Sequence, residues 1–253
     1  MADELTRPHD YRVLLEACPA LTIVGGQAVI IWAIAYLESE PTVPEGFGSH
    51  DMDVVAQMQV AEIVAALPDW KSEKPPMWSF DRRLLRLTSR AHDGRLLVVE
   101  VFGKVNGLAQ EDLKAVTEVE QDGISYRVLD PIAMLRAKAA NVREIDQVGP
   151  PPRQDRAHLQ LIARCMAPFL RDIHQQATGD PALHGEFAKT FSRTFKTLSE
   201  RRTLETLVAE GIRPLDLVPA DLKDSPIEKV RTTFDHQMPR LEQMVAALDL
   251  RSQ

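Results

Sequence analysis

The sequence predicts an α/β fold, a mixed sheet with flanking helices, over residues 1–130, followed by a helical C-terminal domain over residues 131–253. In the first part, short apolar runs bounded by glycine or proline alternate with apolar residues at helical spacing, which indicates strands and helices in mixed order. From Asp130-Pro131 onward the pattern is helical throughout. Aspartate is a favoured N-cap and proline fits the first helical turn, so we expect a helix to begin there.

The first part is predicted to begin with a short helix and a buried strand. Residues 10–17 have a helical pattern, and residues 21–24 form an apolar strand that two glycines end. Residues 27–37 are apolar nearly all round, which is typical of a helix packed against a sheet. The proline and glycine content of residues 38–50 predicts a loop.

Two β-hairpins are predicted further along, because turn residues at His92-Asp93-Gly94 and Gln121-Asp122-Gly123 separate pairs of strand patterns. The predicted strands are 51–56, 84–88, 96–102, 116–119 and 124–129, with one helix at 60–67. The predicted C-terminal helices are 131–144, 153–173, 181–209 with or without a break, and 226–249, with a stiff joint at Pro150-Pro151-Pro152.

The composition is that of a globular protein whose overall field repels polyanions. The chain has 253 residues, of which 44% are hydrophobic and 26% charged, with a net charge of -7. This charge argues against coating nucleic acid or an anionic membrane. Two stretches are locally positive: residues 70–104 hold eight Lys or Arg against four acids, and residues 189–202 hold five against one. Each fits a polyanion site or a solvated face.

The cysteines and the N-terminus predict a cytoplasmic protein. Cys18 and Cys165 are isolated, which indicates neither a disulfide framework nor a zinc site. Residues 1–10 contain acids and no apolar core of a signal peptide. The longest apolar stretch, residues 21–37, is shorter than the roughly 20 residues that span a membrane. We therefore expect no membrane segment.

Asp51 and Asp53 are predicted to project from one face of a strand, because side chains two residues apart point the same way. Repulsion between two close carboxylates raises their proton affinity unless a cation neutralises them, and Mg²⁺ prefers hard oxygen ligands. The pair is therefore a candidate metal site. The alternative is two exposed acids at a strand end, a common arrangement.

Glu100 is a second candidate, because every neighbour within two positions is apolar. Burying an unpaired carboxylate costs several kcal/mol, so this acid should be exposed at an edge, paired with a base or bound to metal. Metal binding is our preferred interpretation. The alternative is an ion pair across the hairpin with Arg83, Arg86 or Arg95.

Gly25 and Gly26 lie where a strand ends and a helix begins. Two residues without Cβ atoms allow a phosphate to approach the backbone, and a helix N-terminus attracts the anion. The alternative is a plain tight turn. Ser49 is a further candidate for phosphate contact, or it merely ends the loop, and His50 is either catalytic or an exposed loop residue.

The glycine turn and the acidic strand follow one another as Val24-Gly25-Gly26-Gln27-Ala28, a helix, and Ser49-His50-Asp51-Met52-Asp53-Val54. This order resembles the signature of the polymerase-β-type nucleotidyltransferase superfamily, and Glu100 in Val99-Glu100-Val101-Phe102 resembles its third carboxylate. The resemblance implies the nucleotidyltransferase fold, a Mg²⁺ or Mn²⁺ cofactor held by Asp51, Asp53 and Glu100, and a nucleoside triphosphate donor, ATP among the candidates.

Residues 129–140, Leu-Asp-Pro-Ile-Ala-Met-Leu-Arg-Ala-Lys-Ala-Ala, resemble a helix of the AbiEii-type toxin nucleotidyltransferases. That resemblance implies that Lys138 contacts nucleotide phosphates, and it makes Asp155 a nucleotide-binding candidate. The alternatives are a solvated helix lysine at position 138 and a helix cap at position 155. It also implies a toxin-antitoxin role and a cognate antitoxin as partner. The toxin group usually has Lys-Asp followed three residues later by Asp, whereas this chain has Gln154-Asp155 and His158.

The implied reaction is transfer of a nucleoside monophosphate from a nucleoside triphosphate to an acceptor hydroxyl. The acceptor could be tRNA, a protein or a small molecule such as an antibiotic. Two rival functions remain. Metal-dependent glycosyltransferases also use Asp-x-Asp, although the upstream glycine turn disfavours them, and a degenerate member of the superfamily would only bind a nucleotide, RNA or a partner protein.

Overall fold

A computed structural model describes residues 6–37, 49, 51–76, 82–148 and 153–249. The chain divides into two compact units, Met1–Met134 (unit 1) and Leu135–Gln253 (unit 2). The predicted division lay after residue 130. Most of the predicted loop 38–50, His50 included, and the predicted joint at Pro150-Pro151-Pro152 lie outside the described residues.

Unit 1 contains a seven-stranded mixed sheet with the strand order β3-β4-β5-β2-β1-β7-β6. The β1–β7 and β2–β5 pairs are parallel, and the other neighbouring pairs are antiparallel. The strands are β1 (Thr22–Ile23), β2 (Met52–Val55), β3 (Lys71–Glu73), β4 (Arg83–Arg90), β5 (Leu96–Phe102), β6 (Val116–Gln121) and β7 (Ile124–Leu129). The predicted mixed α/β fold is therefore confirmed.

Three helices of unit 1 precede or follow the strands β1 and β2. A 3-10 turn (Pro8–Tyr11) leads into α1 (Arg12–Ala17), and α2 (Gly25–Leu37) and α3 (Met58–Ala65) follow β1 and β2. α2 lies against β2, and Trp32 Nε1 donates a hydrogen bond to the Leu129 carbonyl at 2.8 Å. This bond fixes α2 next to the end of β7. The helix begins at Gly25 itself, two residues earlier than predicted.

Local signals set several boundaries. Asp122 and Gly123 have φ values of 53° and 69°, the left-handed conformations that a two-residue hairpin turn requires, and they join β6 to β7. The Asp130 carboxylate accepts a hydrogen bond from Ala133 N at 2.9 Å and caps α4 (Pro131–Glu144), as expected. β3 was not predicted, because its three residues are all exposed and have no apolar pattern.

The C-terminal region is helical, as predicted. The rings of Phe187, Phe191, Phe195 and Phe234 form a cluster, partly stacked and partly edge-to-face, with neighbouring centroids 5.2–6.5 Å apart. The helices after α4 are α5 (Asp155–Gly179), α6 (His184–Leu198), α7 (Arg201–Ala209) and α8 (Glu228–Asp249), with 3-10 turns at Pro181–Leu183, Pro214–Leu217 and Ala220–Asp224. Within the described ranges, no helix is long and apolar enough to cross a membrane.

Candidate metal and nucleotide site

The central strands of the sheet separate a polar face from the core. Asp53 on β2 lies opposite Glu100 on the parallel strand β5, so both side chains emerge on the same face. The residues on either side of them, Met52, Val54, Val99 and Val101, are fully buried on the other face. The alternation that packs the core therefore also directs both carboxylates to one side.

Asp51, Asp53 and Glu100 come together at this face. Each offers a carboxylate oxygen, and the three oxygens all lie within 4.8 Å of one another. All three residues are half-buried. Asp51 lies directly before β2, and Ser49 Oγ donates a hydrogen bond to Asp51 Oδ1 at 2.8 Å. Ser49 thus contacts one of the three acids in this structure.

Arg83 offsets part of this negative charge. Its Nη1 atom donates to Glu100 Oε1 at 2.5 Å. A register shift in the β4–β5 pair lies between Arg83 and Leu85. Of the bases considered for Glu100, Arg83 makes this contact, whereas the guanidinium of Arg95 bonds to Asp93 and Asp10. The ion-pair alternative therefore holds for Arg83, and it coexists with the three-acid cluster.

Gly25 is packed against the Asp53 carboxylate. Its φ is +67°, and a Cβ atom placed there would lie 1.9 Å from Asp53 Oδ2. Only glycine allows both this left-handed backbone and this approach. Val24 N also donates to the Asp53 carbonyl at 2.9 Å. The N-terminus of α2, which begins with Gly25 and Gly26, is therefore next to the acidic cluster.

The donor set fits a hard divalent cation. Three carboxylate oxygens within 4.8 Å of one another provide the oxygen ligands that Mg²⁺ and Mn²⁺ take from proteins. Their half-buried position leaves space for water and substrate oxygens to complete the coordination. Asp51, Asp53 and Glu100 would hold such an ion, and which ion it is remains a prediction.

Lys138 and Asp155 form a buried ion pair in unit 2. Lys138 Nζ lies 2.8 Å from Asp155 Oδ1, and Arg153 Nε lies 2.7 Å from Asp155 Oδ2. Burial alone would raise the pKa of Asp155, but the charge of Lys138 and hydrogen bonds from Lys138, Arg153 and Asn141 outweigh it and lower the pKa. The pair therefore has a structural role here, and its predicted nucleotide contacts stay predictions.

His158 lies one turn after Asp155 on α5 and is buried. Burial lowers its pKa to about 3, and the charge of Lys138 contributes to the shift, whereas the charge of Asp155 opposes it. His158 is therefore neutral at physiological pH.

Three residues near the acids were not predicted as part of the site: Thr6, Tyr11 and the side chain of Gln27. Tyr11 and Gln27 each hydrogen-bond to the Thr6 hydroxyl, and Thr6 donates to the Ser49 carbonyl. Gln27 belonged to the glycine motif but had no assigned role, and Thr6 lies outside any periodic pattern. No local signal in the sequence connects Thr6 with Ser49, because the contact joins distant parts of the chain.

Replacing Gly25 with alanine should destabilise unit 1 and weaken divalent-metal binding. An alanine at positive φ is strained by about 1–2 kcal/mol, and its Cβ would displace the Asp53 carboxylate. Gly123→Ala is the matched control, because Gly123 has φ +69° with open space at its Cβ position. Urea denaturation should show a lower free energy of unfolding in both variants, because both are strained at positive φ. Mn²⁺ titration should show weaker binding only in Gly25→Ala. Equal Mn²⁺ affinity in the two variants would contradict this packing.

His158→Gln should make the protein less sensitive to acid. In the unfolded chain the imidazole takes up a proton near pH 6.5, but in the folded protein it does so only near pH 3. The free energy of unfolding therefore falls as the pH drops through this interval, by at most about 1.4 kcal/mol per pH unit from this group. Urea denaturation at about pH 7.5 and about pH 4.5 gives the change in the free energy of unfolding with pH for the wild type and the variant. If the free energy of unfolding of the variant depended on pH as steeply as that of the wild type, His158 would not be the buried, neutral group described here.

The chain is similar in structure to a protein described as an antigenic nucleotidyltransferase-like protein from Paracoccidioides brasiliensis. The identity is 16%, over 66% of this chain and 83% of that chain, with a TM-score of 0.38. No family model and no curated protein matches the sequence. Since a likeness of this size does not identify a function, we infer the function from the geometry of the chain's own residues.

Proposed function

We propose that this protein is a metal-dependent nucleotidyltransferase that transfers a nucleoside monophosphate from a nucleoside triphosphate to an acceptor hydroxyl. The observation that carries this proposal is the juxtaposition of three acids with a glycine turn. Carboxylate oxygens of Asp51, Asp53 and Glu100 lie within 4.8 Å of one another, and Asp53 packs against Gly25 at the start of α2. Cation ligands and a phosphate-attracting helix terminus are thus adjacent.

In this proposal each group has a defined role. Asp51, Asp53 and Glu100 hold the divalent cation, and the backbone of Gly25 and Gly26 holds the outer phosphates at the positive end of α2. A bound divalent cation stabilises charge on the attacking and leaving oxygens of an in-line displacement. Ser49, which contacts Asp51, orients that carboxylate or touches a phosphate.

The bond changes follow from this arrangement. The acceptor oxygen forms a bond to the α-phosphorus, while the bond from the α-phosphorus to the oxygen that bridges it to the β-phosphate breaks. Pyrophosphate leaves with that bridging oxygen. Glu100 is the proposed base for the acceptor proton, and its contact with Arg83 keeps the carboxylate oriented before the substrate arrives.

Lys138 and Asp155 enter the proposal as nucleotide-binding residues of unit 2. Because Lys138 is buried and paired with Asp155, its ammonium reaches a phosphate only if that pair opens. Asp155 would retain the contacts from Arg153 and Asn141 after such a change.

A polyanionic acceptor such as tRNA is the acceptor class that we favour. Arg83, Arg86 and Arg90 lie opposite Phe102, Glu100 and Leu96, so these cations share the face that carries the acids. On β3, Lys71 lies opposite Thr88 and adds a cation to this face, while Glu73 lies opposite Arg86. We also propose a toxin-like role with an antitoxin protein as partner. The alternatives to this proposal are a transferase with a small-molecule acceptor and a non-catalytic binding protein.

Asp53→Ala should abolish transfer while leaving the fold intact. Removing one of three crowded acids relieves repulsion in the metal-free protein, so the free energy of unfolding should hold or rise. Glu118→Ala, which removes an exposed acid from β6, is the control and should keep full activity. The measurement is transfer of labelled nucleotide with and without Mg²⁺ or Mn²⁺. Undiminished, metal-independent turnover by Asp53→Ala would rule out the mechanism.

Arg86→Glu should weaken transfer to RNA and make it less dependent on salt. Loss of one phosphate contact reduces the slope of log affinity against log salt by about 1. Lys229→Glu is the matched control, because it changes the net charge equally at an exposed position on α8. RNA transfer that responds equally to both substitutions would favour a small-molecule or protein acceptor.

A further inference from the structure

A buried hydrogen-bonded cluster lies behind Ser49. Thr6, Tyr11 and Gln27 are all almost completely buried, and they come from the N-terminal segment, the turn before α1 and the first turn of α2. Thr6 N and Thr6 Oγ1 both donate to the Ser49 carbonyl, at 3.1 and 2.9 Å. Ser49 Oγ in turn donates to Asp51 Oδ1. The cluster therefore reaches a metal-site carboxylate through one residue.

The Thr6 hydroxyl uses its full hydrogen-bonding capacity. It donates to the Ser49 carbonyl and accepts from Tyr11 Oη at 3.0 Å and from Gln27 Nε2 at 3.1 Å. Burial raises the pKa of Tyr11 to about 12, so the phenol keeps its proton and remains a donor. Tyr11 Oη also lies 3.3 Å from the Val98 carbonyl, so the phenol is held between two acceptors, and the Thr6 hydroxyl is held by three partners beside the Ser49 backbone.

Gln27 supplies an independent observation. Its Nε2 atom donates to the Thr6 carbonyl at 2.7 Å as well as to the Thr6 hydroxyl, while Gln27 Oε1 has no hydrogen-bond partner among the described residues. A buried acceptor without a partner destabilises the folded state. The Nε2 atom in turn satisfies the buried Thr6 carbonyl, so the glutamine ties the N-terminal segment to the first turn of α2.

We propose that Thr6, Tyr11 and Gln27 are positioning residues that hold Ser49, and through it the Asp51 carboxylate, in the geometry that binds the divalent cation. The inference rests on the proposed function, because it assigns these residues to the same metal site. Groups that orient a ligand typically change metal affinity about 10–100-fold when they are removed. The cluster also ties the start of α2 to the acid, so the phosphate-binding turn and the metal ligands keep a fixed relation.

Mn²⁺ affinity of the full chain without nucleotide tests this inference. Thr6→Val, which keeps the side-chain shape but removes the hydroxyl, should weaken Mn²⁺ binding about tenfold or more. Thr6→Ser restores the hydroxyl and should bind within about twofold of wild type. Val64→Ala, which opens a cavity at a fully buried position on α3, controls for lost stability and should bind normally.

Gln27→Met is the second variant, in case Thr6→Val does not fold. It removes both bonds to Thr6 and leaves the Thr6 carbonyl without its donor, so we expect a loss of stability of about 1–3 kcal/mol together with an Mn²⁺ affinity about tenfold lower, and Val64→Ala again separates the two effects. Wild-type affinity in Thr6→Val or Gln27→Met would overturn the positioning role, although the proposed function would stand. If the wild type bound no Mn²⁺, or if Asp51→Asn bound it as well as the wild type does, the proposed function would fail together with this inference.

Discussion

The parallel pairing of β2 with β5 is the constraint on which the candidate site depends. Asp53 lies opposite Glu100, so acids from distant parts of the sequence share one face while the valines beside them fill the core. A slip of one residue would bury Glu100 and expose Val99 or Val101. The apolar contacts that fix the register of β2 with β5 therefore also fix the separation of the carboxylates. No further interaction is needed to align the acids.

Three features of the fold make this concentration of acid tolerable. Arg83 donates to Glu100, Ser49 donates to Asp51, and the positive end of α2 lies next to Asp53 through Gly25. Each of these interactions offsets the negative charge of a different carboxylate. All three acids nevertheless stay half-buried, so they remain open to solvent. A divalent cation would complete this neutralisation. The cation would compete with the Arg83 guanidinium for the Glu100 carboxylate. Metal binding would therefore be coupled to the position of the Arg83 side chain on β4.

Local chemistry made most of the fold predictable, and long-range contacts account for the rest. The Asp122-Gly123 turn and the Asp130 cap act within a few residues, so their signals were visible in the sequence. Period-two spacing likewise indicated that Asp51 and Asp53 face the same way. By contrast, exposed β3 has no apolar pattern, and the bond from Thr6 to Ser49 joins residues 43 positions apart. The choice of Arg83 among several arginines depended on the register of β4 with β5, which spacing alone does not determine.

The central claim is that these acids serve transfer of a nucleoside monophosphate rather than another use of a nucleotide. The most direct measurement compares nucleoside triphosphates labelled at the α-phosphate and at the γ-phosphate, each incubated with the protein, Mg²⁺ and a pool of tRNA, protein and small-molecule acceptors. The account predicts that the α label appears on an acceptor while the γ label is released as pyrophosphate. Transfer of the γ label to an acceptor, or release of the γ label as inorganic phosphate with no α label on any acceptor, would contradict it.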